Sequence, residues 1–203
     1  MSDRFRDTYR IPSARLQDWD YGWNAAYFVT ICTKDKQHFF GEVQEGEMVL
    51  SEIGQLAQGF WEEIPTHFPF VLLDAFVVMP NHVHGIVSIS KPFDGTSGGN
   101  VEIGDKATGD ALETRQCLVS TKPTPELSTI GQLRFQNQGK HTLSTIIGSY
   151  KSAVTKSARQ THADFAWQSR FHDHIIRDEK AHKEIAHYIF HNPENWYQDV
   201  FYK

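Results

Sequence analysis

The chain has 203 residues, a formal net charge of −5 and two cysteines, Cys32 and Cys117, far apart and without metal-ligand spacing. That length bounds one domain, or one domain carrying an insertion, with a core large enough to need no disulfide, and the cysteine usage fits a reducing cytoplasm. The start, Met1-Ser2-Asp3-Arg4-Phe5-Arg6, lacks the apolar core of a signal peptide and no run reaches the length of a membrane span, so a cytoplasmic protein without a membrane partner is expected.

Residues 1–22 are polar, basic and interrupted by Pro12, which predicts an irregular arm; here Arg4, Arg6, Arg10 and Arg15 stand against Asp7. Ala25 to Thr33 is rich in β-branched and aromatic residues and reads as a strand. Phe39 to Leu50, with Gly41 and Glu45-Gly46-Glu47, reads as a hairpin or strand edge. Ser51 then looks like an N-cap, and Ile53, Leu56, Ala57, Phe60, Trp61 and Ile64 follow helical spacing until Pro65 closes the run. Val71 to Met79 and His82 to Ser90 are two further strands, separated by Pro80-Asn81, because proline cannot donate to a central ladder. Residues 91–140 lack clear periodicity and carry loop chemistry such as Gly95-Thr96-Ser97-Gly98-Gly99-Asn100, so they read as a flexible insertion, with Ile130 to Phe135 a short local element. Leu143, Ile146, Ile147, Tyr150 and Val154 mark one helical face running to about Arg159. Phe165-Ala166-Trp167-Gln168 and Phe171 to Ile176 suggest a last strand or extended arm, and Ala181 to His191 a closing helix with Ile185, Ala186 and Ile189 inward, ended by Asn192-Pro193.

This order predicts an α+β fold with a ferredoxin-like β-α-β-β-α-β core: an antiparallel sheet with helices on one face, a long flexible insertion and a C-terminal helix. The domain would comprise residues 23–90 and 141–203, with 1–22 as arm and 91–140 inserted. The open sheet face would suit nucleic acid or a dimer partner.

His82 and His84 lie two apart on a strand and therefore point to the same face, with Val83 turned into the core. Two neutral imidazoles side by side supply half of a divalent-metal site. A histidine-triad hydrolase would need a third histidine where Ile86 stands. Tyr150 sits among Gly148, Ser149, Lys151 and Ser152, small or basic neighbours that leave room for a phosphate. On its helical stripe alone it reads as a core tyrosine with a satisfied hydroxyl. Between Lys140 and Arg159 the charged residues Lys140, Lys151, Lys156 and Arg159 are all basic, although a solvated helix face would look the same.

These features in this order resemble the single-tyrosine HUH transposases, and more narrowly the REP-associated tyrosine transposases, which act on repetitive extragenic palindromes. The resemblance rests on Arg10 to Leu16, Tyr27 to Thr33, Phe76 to Gly85, the Tyr150 helix, and Trp167-Gln168 to Glu179. It implies a metal-dependent endonuclease and strand-transferase on single-stranded DNA, at a hairpin or palindromic repeat, with a 5′-phosphotyrosine intermediate on Tyr150. His82 and His84 would hold Mg²⁺ or Mn²⁺. Lys151, Lys156 and Arg159 would line the strand path, and Arg10 and Arg15 would grip the hairpin. The wider class includes monomers and homodimers, and a protein of this kind would be nucleoid-associated when bound to DNA. One position departs from the pattern: the Gln or Asn that such enzymes carry one turn after the tyrosine, as a third metal ligand, is Val154 here. His172, Asp173 and His174 are spare ligand types. The departure keeps open a catalytically weak or inactive hairpin-binding protein on the same scaffold, and behind it a phosphohydrolase of a small substrate.

Overall fold

The computed structural model describes residues 4, 5, 8, 9, 19–92, 139 and 141–202. Arg10, Arg15, the expected element at 130–135 and most of the expected insertion lie outside the described residues.

A short ribbon, β1 (Arg4–Phe5) and β2 (Thr8–Tyr9), precedes β3 (Ala25–Cys32), a hairpin of β4 (Gly41–Gln44) and β5 (Glu47–Leu50), α1 (Glu52–Glu62) and α2 (Ile64–His67). Then come β6 (Val71–Met79), β7 (His82–Ile89), α3 (Leu143–Ala158), β8 (His172–Ile176) and α4 (Glu179–Phe190). The main sheet has the order β6-β7-β3-β8 with every neighbour antiparallel. With α1 and α3 as the connecting helices, this is the ferredoxin-like β-α-β-β-α-β core expected from the sequence.

Alternation along each strand divides the molecule. Tyr27, Val29 and Ile31 of β3 and Val83, Val87 and Ile89 of β7 face the main core, where Ile53, Ala57 and Trp61 of α1 and Ile146, Ile147, Tyr150 and Val154 of α3 cover them. Gly85 lies on this face because a Cβ there would meet the Trp61 ring at 2.3 Å. Ser51 caps α1, its hydroxyl accepting from Gly54 N–H at 3.1 Å. Pro65 does not end the helical region; it occupies the first turn of α2, where its missing N–H costs nothing. Trp19 and Tyr21 pack on the core, so residues within the expected arm belong to the folded body.

The opposite sheet face is not open. Ala26, Ala75, Ile86 and Ile176 are roofed by Ala181, Ile185, Ala186 and Ile189 of α4, so helices lie on both faces rather than one. The reason is legible in α4 itself: its apolar stripe must be buried somewhere, and the uncovered half of the sheet is the apolar surface at hand. His182 Nε2, 3.0 Å from Asp74 on β6, fixes the helix from the side.

Candidate active site

β7 is buried on both faces, and at its start His82 and His84 are 0% and 1% exposed. The two-residue Pro80-Asn81 turn that aims them is locked from outside: Asn81 O accepts from Thr33 N–H at 2.9 Å and Pro80 O from Phe40 N–H at 3.0 Å. The imidazoles stand with centroids 4.4 Å apart.

The protonation of His82 follows from its neighbours. Asn81 donates both amide hydrogens, to Lys36 O at 3.2 Å and Phe201 O at 2.9 Å, so its Oδ1 is the atom facing His82 Nδ1 at 2.8 Å. An acceptor there needs the proton on Nδ1, which leaves Nε2 with a bare lone pair. That Nε2 is buried and has no partner. His84 is engaged at both nitrogens, its Nδ1 2.9 Å from Thr30 Oγ1 and its Nε2 3.3 Å from the Tyr188 hydroxyl. Burial, and then the neighbouring His84, pushes His82 well below its ordinary pKa; burial lowers His84 to about 4. Both rings are therefore neutral at pH 7, the form that ligates a metal.

The third group comes from the end of the chain. Ligand atoms of His82, His84 and Asp199 lie within 4.8 Å of one another, a group suited to hold a metal ion. Asp199 Oδ2 accepts from the Tyr188 hydroxyl at 3.3 Å and from Asn192 Nδ2 at 2.9 Å. The other amide atom, Asn192 Oδ1, is buried and without a partner. Tyr188, on α4, is 43% exposed. Its phenol is pushed up to about 12, by burial first and then by the Asp199 carboxylate.

Tyr150 is elsewhere. It belongs to the main core on the other face of the sheet, is 2% exposed, and donates its hydroxyl to Ala57 O at 3.0 Å. Trp61 and Trp167 flank its ring, and burial raises its pKa. The sheet itself separates it from the histidine pair, so the structure does not bring Tyr150 together with His82 and His84. The reason is one of periodicity: the stripe that placed Tyr150 in line with Ile146, Ile147 and Val154 is the stripe that faces the core. Val154 is likewise core.

Lys151, Lys156 and Arg159 do come together. They line one side of an open groove of about 510 Å³ completed by Trp167, Gln168 and Ser169. Lys151 Nζ donates to Gln168 O at 2.6 Å, and Arg159 Nε to Phe165 O at 3.0 Å. The groove adjoins the end of β3, where Gln168 N–H bonds Cys32 O and Cys32 pairs with His82. His172 and His174 are exposed, and neither they nor Asp173 enter the metal-type group.

Sequence reasoning missed Tyr188, Asn192 and Asp199. A signal was present: Tyr188 and Asn192 stand one helical turn apart, the Tyr-to-Asn spacing sought and not found after Tyr150.

A protein from Haemophilus influenzae, described without an activity, is 35% identical over 191 residues, covering 94% of this chain and 92% of its own. The chain belongs to the same family as that protein. No family model matches the chain. Among solved structures it is similar to a REP-associated tyrosine transposase bound to a REP hairpin, at 17% identity and TM-score 0.48, covering 84% of this chain and 67% of that one. It is also similar to a transposase candidate from Deinococcus radiodurans, at 12% identity and TM-score 0.42, covering 90% and 96%. Likeness at these levels assigns no activity. Among the described residues no helix is long and apolar enough to cross a membrane.

Proposed function

We propose that the protein is a metal-dependent single-stranded DNA endonuclease and strand-transferase of the HUH type, with Tyr188 rather than Tyr150 as nucleophile. The observation that carries the reading is the Tyr188 hydroxyl 3.3 Å from His84 Nε2 and 3.3 Å from Asp199 Oδ2, on the face where His82 Nε2 has no partner. A buried imidazole lone pair left bare beside a second imidazole and a carboxylate fits a divalent ion. His82, His84 and Asp199 would hold Mg²⁺ or Mn²⁺, with Asn192 Oδ1 as a further oxygen donor. A divalent ion supplies positive charge that lowers the cost of a phenolate and of charge developing on phosphate oxygens.

The residues then divide the work. Asn81 and Thr30 orient the two imidazoles, and Asn81 fixes Nε2 as the bare nitrogen of His82. Asp199 takes the Tyr188 proton through the hydrogen bond it already accepts. The phenol oxygen attacks phosphorus, a Tyr–O–P bond forms and the P–O3′ bond breaks. The departing 3′ oxygen collects the proton from Asp199, leaving a 3′-hydroxyl and a 5′-phosphotyrosine. Reversal by an incoming 3′-hydroxyl reseals the strand without external energy, because the phosphodiester is conserved. Lys151, Lys156 and Arg159 would take the backbone phosphates of the strand in their groove. Hairpin DNA as substrate follows from the motif resemblance.

The test uses end-labelled single-stranded DNA hairpins with Mn²⁺, resolved on a denaturing gel. A covalent protein–DNA band is expected for wild type and Tyr150→Phe, and none for Tyr188→Phe or His82→Ala. Hairpin binding without adduct across metals and substrates would instead favour a non-catalytic hairpin-binding protein.

A further inference from the structure

Seven large hydrophobic side chains are exposed among the described residues, and five of them, Tyr188, Phe190, Tyr197, Val200 and Tyr202, fall between 188 and 202. Scattered exposed apolar residues are ordinary; a cluster at the mouth of a polar site is not. Tyr197 is 65% exposed and Tyr202 45%. Their rings meet at 5.3 Å and 70°, and Tyr202 also packs edge-on to Trp196 at 5.5 Å. The pair is tied directly to the site. Trp196 lies 6.0 Å from the His82 ring, Tyr202 N–H donates to Asp199 O at 3.0 Å, and Asp199 holds the Tyr188 hydroxyl. Cations border the same patch. Lys36 Nζ donates to Val200 O at 3.0 Å and lies 5.1 Å from the Phe201 ring centre, and Lys34 is exposed on the same turn.

Resting on the reading of Tyr188 as nucleophile, we propose that Tyr197 and Tyr202 form a stacking platform for unpaired bases next to the phosphate presented to Tyr188. Exposed aromatic faces with a cation beside them are what a single strand needs: the charge tracks the backbone, and each ring takes a base without choosing its sequence. A duplex hides its base faces and gains nothing from the platform. A second copy of the chain is the competing occupant of an apolar patch, but the lysines at its border complement a polyanion rather than another such patch. The platform therefore selects single strands at the site itself, separately from the backbone groove of Lys151, Lys156 and Arg159.

The test measures fluorescence-anisotropy affinities for a thymidine homopolymer, an abasic strand of equal length and a duplex. The proteins carry Tyr188→Phe so that no cleavage intervenes, alone or combined with Tyr197→Ala, Tyr202→Ala, Tyr197→Phe or Tyr202→Phe, each checked by circular dichroism. Each alanine change is expected to weaken homopolymer binding about tenfold, with the phenylalanine changes near the parent and abasic-strand affinity unmoved. Equal losses on the abasic strand, or no loss on the homopolymer, would overturn the platform. So would a concentration-dependent dimer in sedimentation that the alanine changes abolish. The nucleophile is judged apart, by adduct formation in protein with Tyr188 intact. An adduct without the base-dependent losses removes the platform alone. Base-dependent losses without any adduct keep the platform and remove the nucleophile.

Discussion

At the scale of single residues, the site is organised by what each imidazole nitrogen is doing. Nδ1 of each ring is engaged, by Asn81 and Thr30, and Nε2 points toward Tyr188 and Asp199 or has no partner. Added Mn²⁺ is therefore expected to raise the melting temperature at neutral pH, and His82→Ala to abolish that rise, as read by differential scanning fluorimetry. The same rings set a pH dependence for the metal-free protein. His84 titrates at its ordinary 6.5 when unfolded and about 4 when folded, and His82 is displaced in the same direction. Between those values the unfolded chain binds protons that the folded chain refuses. Stability should hold above about pH 6.5 and fall as pH drops toward 4; thermal melts across that window check the sign. Tyr150→Phe removes one buried hydrogen bond to Ala57 O, and chemical denaturation should show a loss of about 1 kcal/mol while DNA cleavage survives.

At the scale of elements, most of the fold follows from local rules, and the exceptions have one cause. The Ser51 cap, the alternation in β3 and β7 and the apolar stripe of α3 each settle an element without reference to the rest. Ser51→Ala should cost about 1 kcal/mol in denaturant unfolding. Gly85→Ala should cost more, since its new methyl meets the Trp61 ring in a packed core. The His-Val-His pattern was equally plain in the sequence, because a strand period of two leaves no choice about which side chains project together. The element that covers the histidines was not legible. A stripe of Ile185, Ala186 and Ile189 says that α4 is buried on one side, but not which sheet face it covers. Only that docking brings Tyr188 above the histidines, and only the chain's return after Pro193 brings Asp199 beside them. Tyr150 drew attention because its neighbours look phosphate-compatible; its position on the apolar stripe was the better guide.

At the scale of the whole molecule, the sheet acts as a partition. One face carries the main core with Tyr150; the other carries the histidines, α4 and the C-terminal segment. Lys91 and His141 meet on one ring: Lys91 Nζ lies 5.6 Å from the Phe70 ring centre and His141 packs on the same ring at 4.9 Å. Replacing residues 93–138 with a short Gly-Ser linker should leave a folded protein of equal or slightly higher melting temperature, since loop closure costs little and shortening lowers it. A net charge of −5 makes binding to DNA depend on local cations, so affinity for single strands should fall steeply with salt. Lys156→Ala should flatten that log–log slope by about 0.7, measured by anisotropy titrations at several salt concentrations.

The claim on which the account turns is which tyrosine becomes linked to DNA. The direct measurement is to form the adduct with a single-stranded hairpin and Mn²⁺, digest protein and DNA, and locate the nucleotide-bearing peptide by mass spectrometry. A 5′-phosphonucleotide on Tyr188 is expected. A nucleotide on Tyr150 would contradict it, and would require the sheet and α3 to separate before the chemistry could begin.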